Sequence, residues 1–528
     1  MRNEFLVFIF LSLGITLLSA YFFWPPMIWL LAVLMPVIIL GIYDMVQSRH
    51  TVMRNFPVLG RGRYVLEELR PKLYQYFIES DTNGRPINRI YRSVVYQRAK
   101  KVRDTTPFGT QLDLYEEGYE WLNHSIAAKD AHDLDQDPRV TVGNAACRQP
   151  YAASLLNVSA MSFGSLSKNA IMALNGGAEM GRFAHNTGEG GISSYHVRHN
   201  GDLIYQFGTG YFGCRTPDGQ FSPEAFTARV ASDQIKMIEV KLSQGAKPGH
   251  GGILPAAKNT PEIAEIRGVP VGTSVLSPPS HKVFSTPEGL VRFIGQLREL
   301  SGGKPVGFKL CIGSRSEFMA ICKAMIEADT YPDFIAIDGG EGGTGAAPPE
   351  FSNSVGMPFV EGLATAYDIL QGFGIKEHIK LFASGKILTG YHIFRALALG
   401  ADACYSARAM MLALGCIQAL ECNKNNCPTG VATQRPELVQ GLVVSDKKVR
   451  VANFQQETIK NFVELLGAAG LDHPDQITRH HIYRRVSMQK VMRYSELFPE
   501  LPEGCLRTAA TVPDDWQLDW QLARPDRF

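Results

Sequence analysis

Between residues 155 and 406 the chain repeats one pattern. A short β-rich run ends in Gly, Ser or Asn, and in several cases a helical stretch follows. The clearest runs are 155–160, 204–207, 237–242, 306–311, 334–337, 381–383 and 403–406. Strands alternating with helices predict a parallel sheet. Roughly seven or eight such units in about 260 residues predict an α/β fold of the (β/α)₈ TIM barrel type. A doubly wound sheet is the alternative, but it places one dominant glycine fingerprint after its first strand. Here glycines recur after many strands, as a barrel requires if its C-terminal face holds one ligand.

Three of these loops carry chemistry. Asp338-Gly339-Gly340-Glu341 follows the run at 334. Ser384-Gly385-Lys386 follows the run at 381, and Ala407-Arg408 follows the run at 403. In barrels a phosphate commonly sits on the loops after strands seven and eight, where backbone N–H groups and a helix N-terminus converge. For any one of these loops alone, a tight strand-to-helix turn explains the glycine equally well. Lys309 lies inside the run 306–311, where an unpartnered charge is costly. Either it snorkels at the strand end, or it faces an anionic ligand over the barrel mouth. Beside a flavin, such a charge near N1/O2 stabilises the reduced anion.

Cys416-x₅-Cys422-x₄-Cys427-Pro428 brings three thiols within 12 residues. The pattern resembles iron–sulfur ligation, including the Pro after the last Cys. Zinc wants a fourth ligand, and no His or further Cys lies nearby in sequence. Three ligands therefore favour a [3Fe–4S] cluster over [4Fe–4S] or zinc. Cys147, Cys214, Cys311, Cys322, Cys404 and Cys505 show no such grouping, and buried thiols are their default reading. A helix between Arg408 and Cys416 would span about 12 Å. The thiols are thus expected close to the phosphate loops, where a flavin and a cluster would form an electron-transfer pair.

The chain begins differently. Residues 5–24 and 27–43 carry no charge, and Pro25-Pro26 separates them. A spanning helix needs about 20 apolar residues, with a lower limit near 17. A transmembrane helical hairpin over 1–48 is predicted. A cleaved signal peptide followed by one anchor is the alternative, with Leu18-Ser19-Ala20 as its weak cleavage signal. From Arg49 to Arg103 there are 13 Lys/Arg and four Asp/Glu. The positive-inside rule then puts the rest of the chain in the cytoplasm. Nine cysteines, an odd number without a disulfide-like spacing, agree with a reducing compartment. An apolar content of 45% with 20% charged residues excludes a disordered chain. A net charge of +2 gives no reason to expect nucleic acid. Residues 49–150 are read as an adaptor segment that holds a helix near 64–70, with Pro71 opening another helix. Its basic residues could touch membrane lipid, but a solvated face is the plainer use. Residues 151–440 are read as the barrel, and 441–528 as a C-terminal helical extension.

Met161-Ser162-Phe163-Gly164, Asn186–Gly191, Gln244–Gly249, Asp338–Gly345 and above all Cys416–Gln434 together resemble the FMN-binding synthase domain of glutamate synthase. The resemblance covers roughly 150–440. The whole chain, hairpin included, resembles the stand-alone FMN-binding glutamate synthase family proteins of bacteria. It implies an FMN on the barrel beside a [3Fe–4S] cluster held by Cys416, Cys422 and Cys427. Met161 and Ser162 would line the flavin and Lys309 would face its pyrimidine ring. Gly339 and Gly340 would adjoin the flavin, and Gly385, Lys386, Ala407 and Arg408 would hold its phosphate. Glu189, Gln244 and Lys247 match the substrate side, although loop hydrogen bonding is the plainer role for Glu189 and Gln244 taken singly.

The implied chemistry is reduction of the imine formed from 2-oxoglutarate, or a similar 2-oxo acid, and ammonia. An amino transfer from glutamate to another small molecule, or a membrane-tethered protein without turnover, are the competing expectations. Two departures stand out. His250 occupies a position that is usually Glu in the large glutamate synthases. No glutaminase or second nucleotide-binding domain is recognised. Ammonia or an amino donor would then come from solution or a partner, and electrons from ferredoxin, NAD(P)H or a quinone-linked donor. The expected location is the bacterial inner membrane, with the catalytic domain cytoplasmic.

Overall fold

Eight parallel strands close into a barrel whose C-terminal ends share one mouth. The computed structural model describes residues 1–103 and 105–528. In chain order the barrel strands are β1 (Leu156–Val158), β2 (His185–Asn186), β3 (Leu203–Phe207), β4 (Ile235–Lys241), β5 (Val306–Leu310), β6 (Phe334–Asp338), β7 (Lys380–Ser384) and β8 (Ala403–Ser406). Each pairs in parallel with the next, and β8 closes on β1. The predicted barrel is therefore observed. Its one unannounced strand is β2, which is two residues long and polar.

Alternate residues of a barrel strand point inward. Low in the barrel the filling is apolar, built from Ile204, Met237, Phe334, Ala336, Phe382 and Tyr405. Val142, Tyr151 and Ala153 join that cluster from the hairpin Arg139–Val142/Tyr151–Ser154, which runs directly into β1 and covers the N-terminal end. One step higher on the same inward positions the side chains turn polar: Gln206 after Ile204, Glu239 after Met237, and Asp338 after Ala336. The barrel thus keeps a dry floor and concentrates its charge at the mouth.

The outer wall continues past residue 440. The helix Val444–Ala468 packs against Lys168–Gly181 and Gly390–Ala398, the place an eighth barrel helix takes. Val451, Phe454, Ile459, Phe462 and Leu466 recur at helical spacing and are buried there. The rest of the C-terminal segment is not wholly helical. Ile482–Arg485 and Val491–Arg493 are strands, and the first pairs antiparallel with Glu120–Leu122. Trp121 stacks on Tyr483 at 5.6 Å, and Glu120 takes both Arg395 (2.9 Å) and the Tyr494 hydroxyl (2.6 Å). These aromatic and ionic partners favour a strand pairing that helical periodicity does not reveal.

The chain divides into two compact units, Met1–Pro86 and Ile87–Phe528. Residues 87–150 therefore group with the barrel; the helix Arg89–Lys100 packs on Val444–Ala468 and on Arg408–Leu414. In the first unit, Arg2–Phe22 and Pro25–Val46 are each long and apolar enough to cross a membrane. The Phe5 ring occupies the place a Cβ on Gly41 would take, so the two helices run antiparallel in contact. Pro71 lies inside the helix Arg61–Leu73 instead of opening a second one. Its missing N–H leaves one carbonyl unbonded, which water can satisfy on an exposed helix.

Candidate active site

The mouth is lined by four buried or half-buried basic groups and two carboxylates. Lys241, the last residue of β4, donates to Glu189 Oε1 at 2.7 Å. Glu189 fits because Gly208 and Gly252 lack side chains; a Cβ on either would meet its carboxylate. Burial pushes the Glu189 carboxyl up, but Lys241, then Arg267 and Lys247, outweigh it and hold the group below the usual range. Arg267 ends the helix Pro261–Arg267 and donates through Nη2 to Ser162 Oγ (3.3 Å) and the Phe163 carbonyl (3.2 Å). Its Nε is buried without a hydrogen-bond partner. Burial brings its guanidinium down to about 10, against the pull of Glu189. Lys247 donates to the Ala346 carbonyl at 2.7 Å, and burial, reinforced by the charge of Lys241, brings it to about 8.

Asp338 is the second centre. It accepts from Ser384 Oγ (2.6 Å) and from the Gly245 N–H (2.7 Å), and Lys309 Nζ lies 3.4 Å away. Lys309 does face the mouth, but as half of an ion pair and not as a lone cation. Below it, Glu239 is fully buried; its Oε1 accepts from Asn186 (2.9 Å) and Gln206 (2.5 Å). Burial raises the Glu239 carboxyl, with Lys309 opposing.

The remaining predicted residues occupy the same rim. Met161 is buried just after β1, and Gly188 approaches it so closely that a Cβ would strike the Ser162 nitrogen. The Gln244 carbonyl accepts the Lys247 N–H at 3.2 Å, closing the turn that aims Lys247. At Gly339 and Gly385 a Cβ would collide with Phe359, and at Gly340 with the Gly356 carbonyl. Glycine is obligatory at these three positions because of packing against the loop and helix around Phe359. Close approach of a ligand is not needed to explain them. Ser406 Oγ donates to the Ile387 carbonyl at 2.7 Å, tying together the loops after β7 and β8 that carry Lys386, Ala407 and Arg408. Lys386 holds a left-handed backbone, φ +51°. Arg408 donates to the Glu341 carbonyl at 2.6 Å. His250 bonds the Gly251 carbonyl (2.9 Å) and packs edge-on against Phe351.

The cysteine loop docks on the same rim. The helix Arg408–Leu414 stops at Gly415, whose φ of +109° turns the chain into Cys416. Tyr96 donates to the Cys416 carbonyl (2.6 Å), Ser167 to the Gly430 carbonyl (2.6 Å), and Gln434 to the Gly164 and Leu166 carbonyls (3.0 and 2.9 Å). The loop is thereby fixed beside the segment after β1 that holds Met161 and Ser162. Burial pushes Cys416 up to about 11 and also raises Cys422. At Cys427 burial is outweighed by Thr429 and by N–H groups of the 429–432 backbone, which pull the thiol down. Among the described residues no three His, Cys, Asp or Glu side chains are grouped to hold one metal ion. A cluster asks for something different, since each thiolate binds a different iron. Hydrogen bonds to sulfur are one of the means by which proteins tune such clusters, and Cys416 and Cys427 have them. Three cysteine thiols on one loop are the donor chemistry that an iron–sulfur cluster takes. Lys258, buried and bonded to the Ser165 carbonyl (2.9 Å), adds a cation whose charge acts on Cys422 and Cys427.

Sequence reasoning missed Lys241, Arg267, Glu239 and Lys258. Lys241 gave the same signal as Lys309, a charge inside a strand end. Arg267 and Lys258 gave none, because they lie in the long β4–β5 connection. A cavity of about 670 Å³ opens at the N-terminal end of the barrel, lined by Arg139, Tyr151, Asp202, Lys236 and Lys304 among others. It contains none of these site residues.

Residues 93–472 match the family described as the conserved region in glutamate synthase. The glutamate synthase large subunit-like protein YerD of Bacillus subtilis (strain 168) is 37% identical over 484 residues, covering 84% of this chain and 91% of that protein. An archaeal glutamate synthase [NADPH] of Methanocaldococcus jannaschii is 38% identical over 315 residues; the match spans 59% of this chain and 58% of that one. A solved mandelate oxidase structure has a TM-score of 0.43 at 12% identity, over 80% of this chain and 98% of that one. With the family match covering most of the barrel unit and YerD aligned over nearly its whole length, the chain belongs to the glutamate synthase family and is a glutamate synthase-like enzyme.

Proposed function

We propose that this protein is a membrane-anchored FMN and iron–sulfur oxidoreductase that reduces the imine of a 2-oxo acid, 2-oxoglutarate or a close analogue, to an amino acid. One observation carries the reading. Arg267 Nε is buried without a partner at a mouth that also holds Lys241, Lys247 and Lys309. A buried donor left unsatisfied costs about 1–3 kcal/mol, which supports a reading in which a bound anion accepts from it. A dicarboxylate 2-oxo acid supplies two. Arg267 and Lys247 would each hold one carboxylate, while Glu189, kept ionised by Lys241, would orient the ammonium or imine nitrogen.

FMN would supply the hydride chemistry. The tied loops after β7 and β8, with Lys386, Ala407 and Arg408, would hold its phosphate. Met161, Ser162, Gly339 and Gly340 would surround its ring. Lys309 would place a positive charge at the ring, and Asp338, braced by Ser384 and the Gly245 N–H, would keep that ammonium in position. Cys416, Cys422 and Cys427 would bind a [3Fe–4S] cluster that connects the site to an external donor, whether ferredoxin, NAD(P)H or a quinone-linked protein. Ammonia or an amino donor would supply the nitrogen. The hairpin 1–48 would anchor the enzyme in the bacterial inner membrane with the barrel on the cytoplasmic side, in keeping with the basic residues that follow it.

Anaerobic purification in detergent, with flavin and iron analysis, tests the cofactors. A screen of 2-oxo acids with ammonia, read as reoxidation of the reduced protein, tests the substrate. Stoichiometric FMN and about three irons per chain, with reoxidation only when both ammonia and a 2-oxo acid are present, are expected. Protein without flavin or iron would overturn the proposal.

A further inference from the structure

The unit Met1–Pro86 contains a surface that neither the barrel chemistry nor the hairpin uses. The helix Arg61–Leu73 continues as a wider turn over Tyr74–Ile78. At 3.6 residues per turn, Val65, Leu69 and Leu73 align on one side with Leu66 beside them, and Tyr76 and Phe77 follow in the wider turn. All six are exposed; Leu66 is 61% and Phe77 81% accessible. Arg61 and Lys72 border this face along one edge, and Arg63 and Arg70 along the other. Glu67 lies opposite, and Glu68 lies just outside Arg61, away from the apolar face. A contiguous apolar stripe with basic residues on both edges is the pattern of a helix lying in a membrane interface, where long basic side chains reach outward to headgroups.

A second observation fixes its depth. Asp44 stands in the last turn of Leu31–Val46 and is fully buried. It receives the Arg61 guanidinium at 2.7 and 3.0 Å and the Val58 N–H at 3.1 Å. The Arg61 guanidinium also lies 5.9 Å from the centre of the Tyr43 ring. The start of the 61–78 segment is therefore clamped to the end of the second apolar helix, within one turn of where that helix leaves the bilayer if it spans it.

We infer that the 61–78 segment lies flat in the headgroup layer of the membrane that the hairpin crosses. Its Val65–Leu69–Leu73 face enters the acyl boundary, and Arg63, Arg70 and Lys72 contact anionic lipid headgroups, while Arg61 stays paired with Asp44. This inference rests on the reading of 1–48 as a spanning hairpin. It adds a surface contact by which the enzyme is held down on the bilayer after the chain has left it.

The test uses the full chain in nanodiscs containing phosphatidylglycerol. A nitroxide is carried on a genetically encoded ketone residue, which avoids the native cysteines. Labels replace Leu69, Glu68 and, as a reference within the first apolar helix, Leu11. Accessibility to oxygen and to a water-soluble nickel chelate is read by power saturation. The expected result is a Leu69 label with the oxygen-rich, nickel-poor signature of Leu11, and a Glu68 label open to nickel. A Leu69 label as open to nickel as Glu68 overturns the inference while the hairpin stands. A Leu11 label open to nickel overturns the hairpin and the inference with it. Spin–spin broadening at Leu69 with shielding from both reagents assigns the face to a second copy of the chain and also overturns the inference.

Discussion

Replacing Lys241 with Met tests whether the mouth is held together by charge. Methionine keeps the length and removes the partner that sits 2.7 Å from Glu189. Both side chains are largely buried, so the substitution strands a carboxylate in a dry site. Breaking a buried pair in this way costs about 3–5 kcal/mol. Arg267 and Lys247 still act on Glu189, but less strongly than Lys241 does, which places the expected loss at about 3 kcal/mol.

The pH dependence follows from the sign of the shift. In the wild type Glu189 titrates below its ordinary value. Its stabilisation is complete above about pH 4.3 and is lost as pH falls through the folded-state value. Without Lys241, burial dominates and the folded-state carboxyl rises above the unfolded one. The penalty then shrinks as pH falls below that raised value, by about 1.4 kcal/mol per unit. Urea melts of the purified protein should show the gap between wild type and Lys241→Met widest at pH 7 and narrower at pH 5. Adding Glu189→Gln should recover most of the loss. A gap independent of pH, or a double variant as unstable as the single one, would refute the argument.

Cys422→Ala should release most of the bound iron and leave flavin at least partly bound, because the phosphate loops lie outside the cysteine run; unchanged iron by colorimetric assay would refute the ligand assignment. Lys309→Met should lower the flavin midpoint potential by about 20 mV, corresponding to about 1 kcal/mol. Asp338 at 3.4 Å already offsets part of that charge, so the shift is small, and an unchanged spectroelectrochemical potential makes Lys309 structural. Lys247, brought to about 8 by burial, loses its proton between pH 7 and 9. KM for the 2-oxo acid should then rise about tenfold by pH 9 while kcat holds, and Lys247→Arg should flatten the profile. A KM that does not respond to pH would remove Lys247 from carboxylate binding.

The barrel was legible because its strands end in glycine, serine or asparagine, and because each inward run is apolar until its last residues. β2 was not, since His185 and Asn186 carry neither β-branching nor aromatic character and are held in place by their neighbours on both sides. Among site residues, charges inside strands announced themselves, as Lys309 did and Lys241 could have. Arg267 and Lys258 owe their positions to tertiary packing of the β4–β5 connection, and no local pattern marks them. The glycine loops were read as ligand-facing. The structure gives a nearer cause at Gly339 and Gly385, where the Phe359 ring leaves no room for a Cβ. Pro71 suits the first turn of a new helix, yet it lies within Arg61–Leu73, because an exposed helix can leave the carbonyl that a proline frees to water.

The seat of Val444–Ala468 in the barrel wall sets the order in which the protein can be made. A chain emerging from the ribosome presents its β1 strand near residue 156 long before β8, near residue 404, with which β1 pairs. The helix that shields Lys168–Gly181 arrives only after residue 444, and the partner of Glu120–Leu122 arrives near 482. Closing such distant pairings is intrinsically slow, and the half-made barrel exposes strand edges while it waits. Chains truncated before about residue 485 should therefore be recovered as aggregates or as protease-sensitive fragments. For the same reason, synthesis of this enzyme should depend on chaperones.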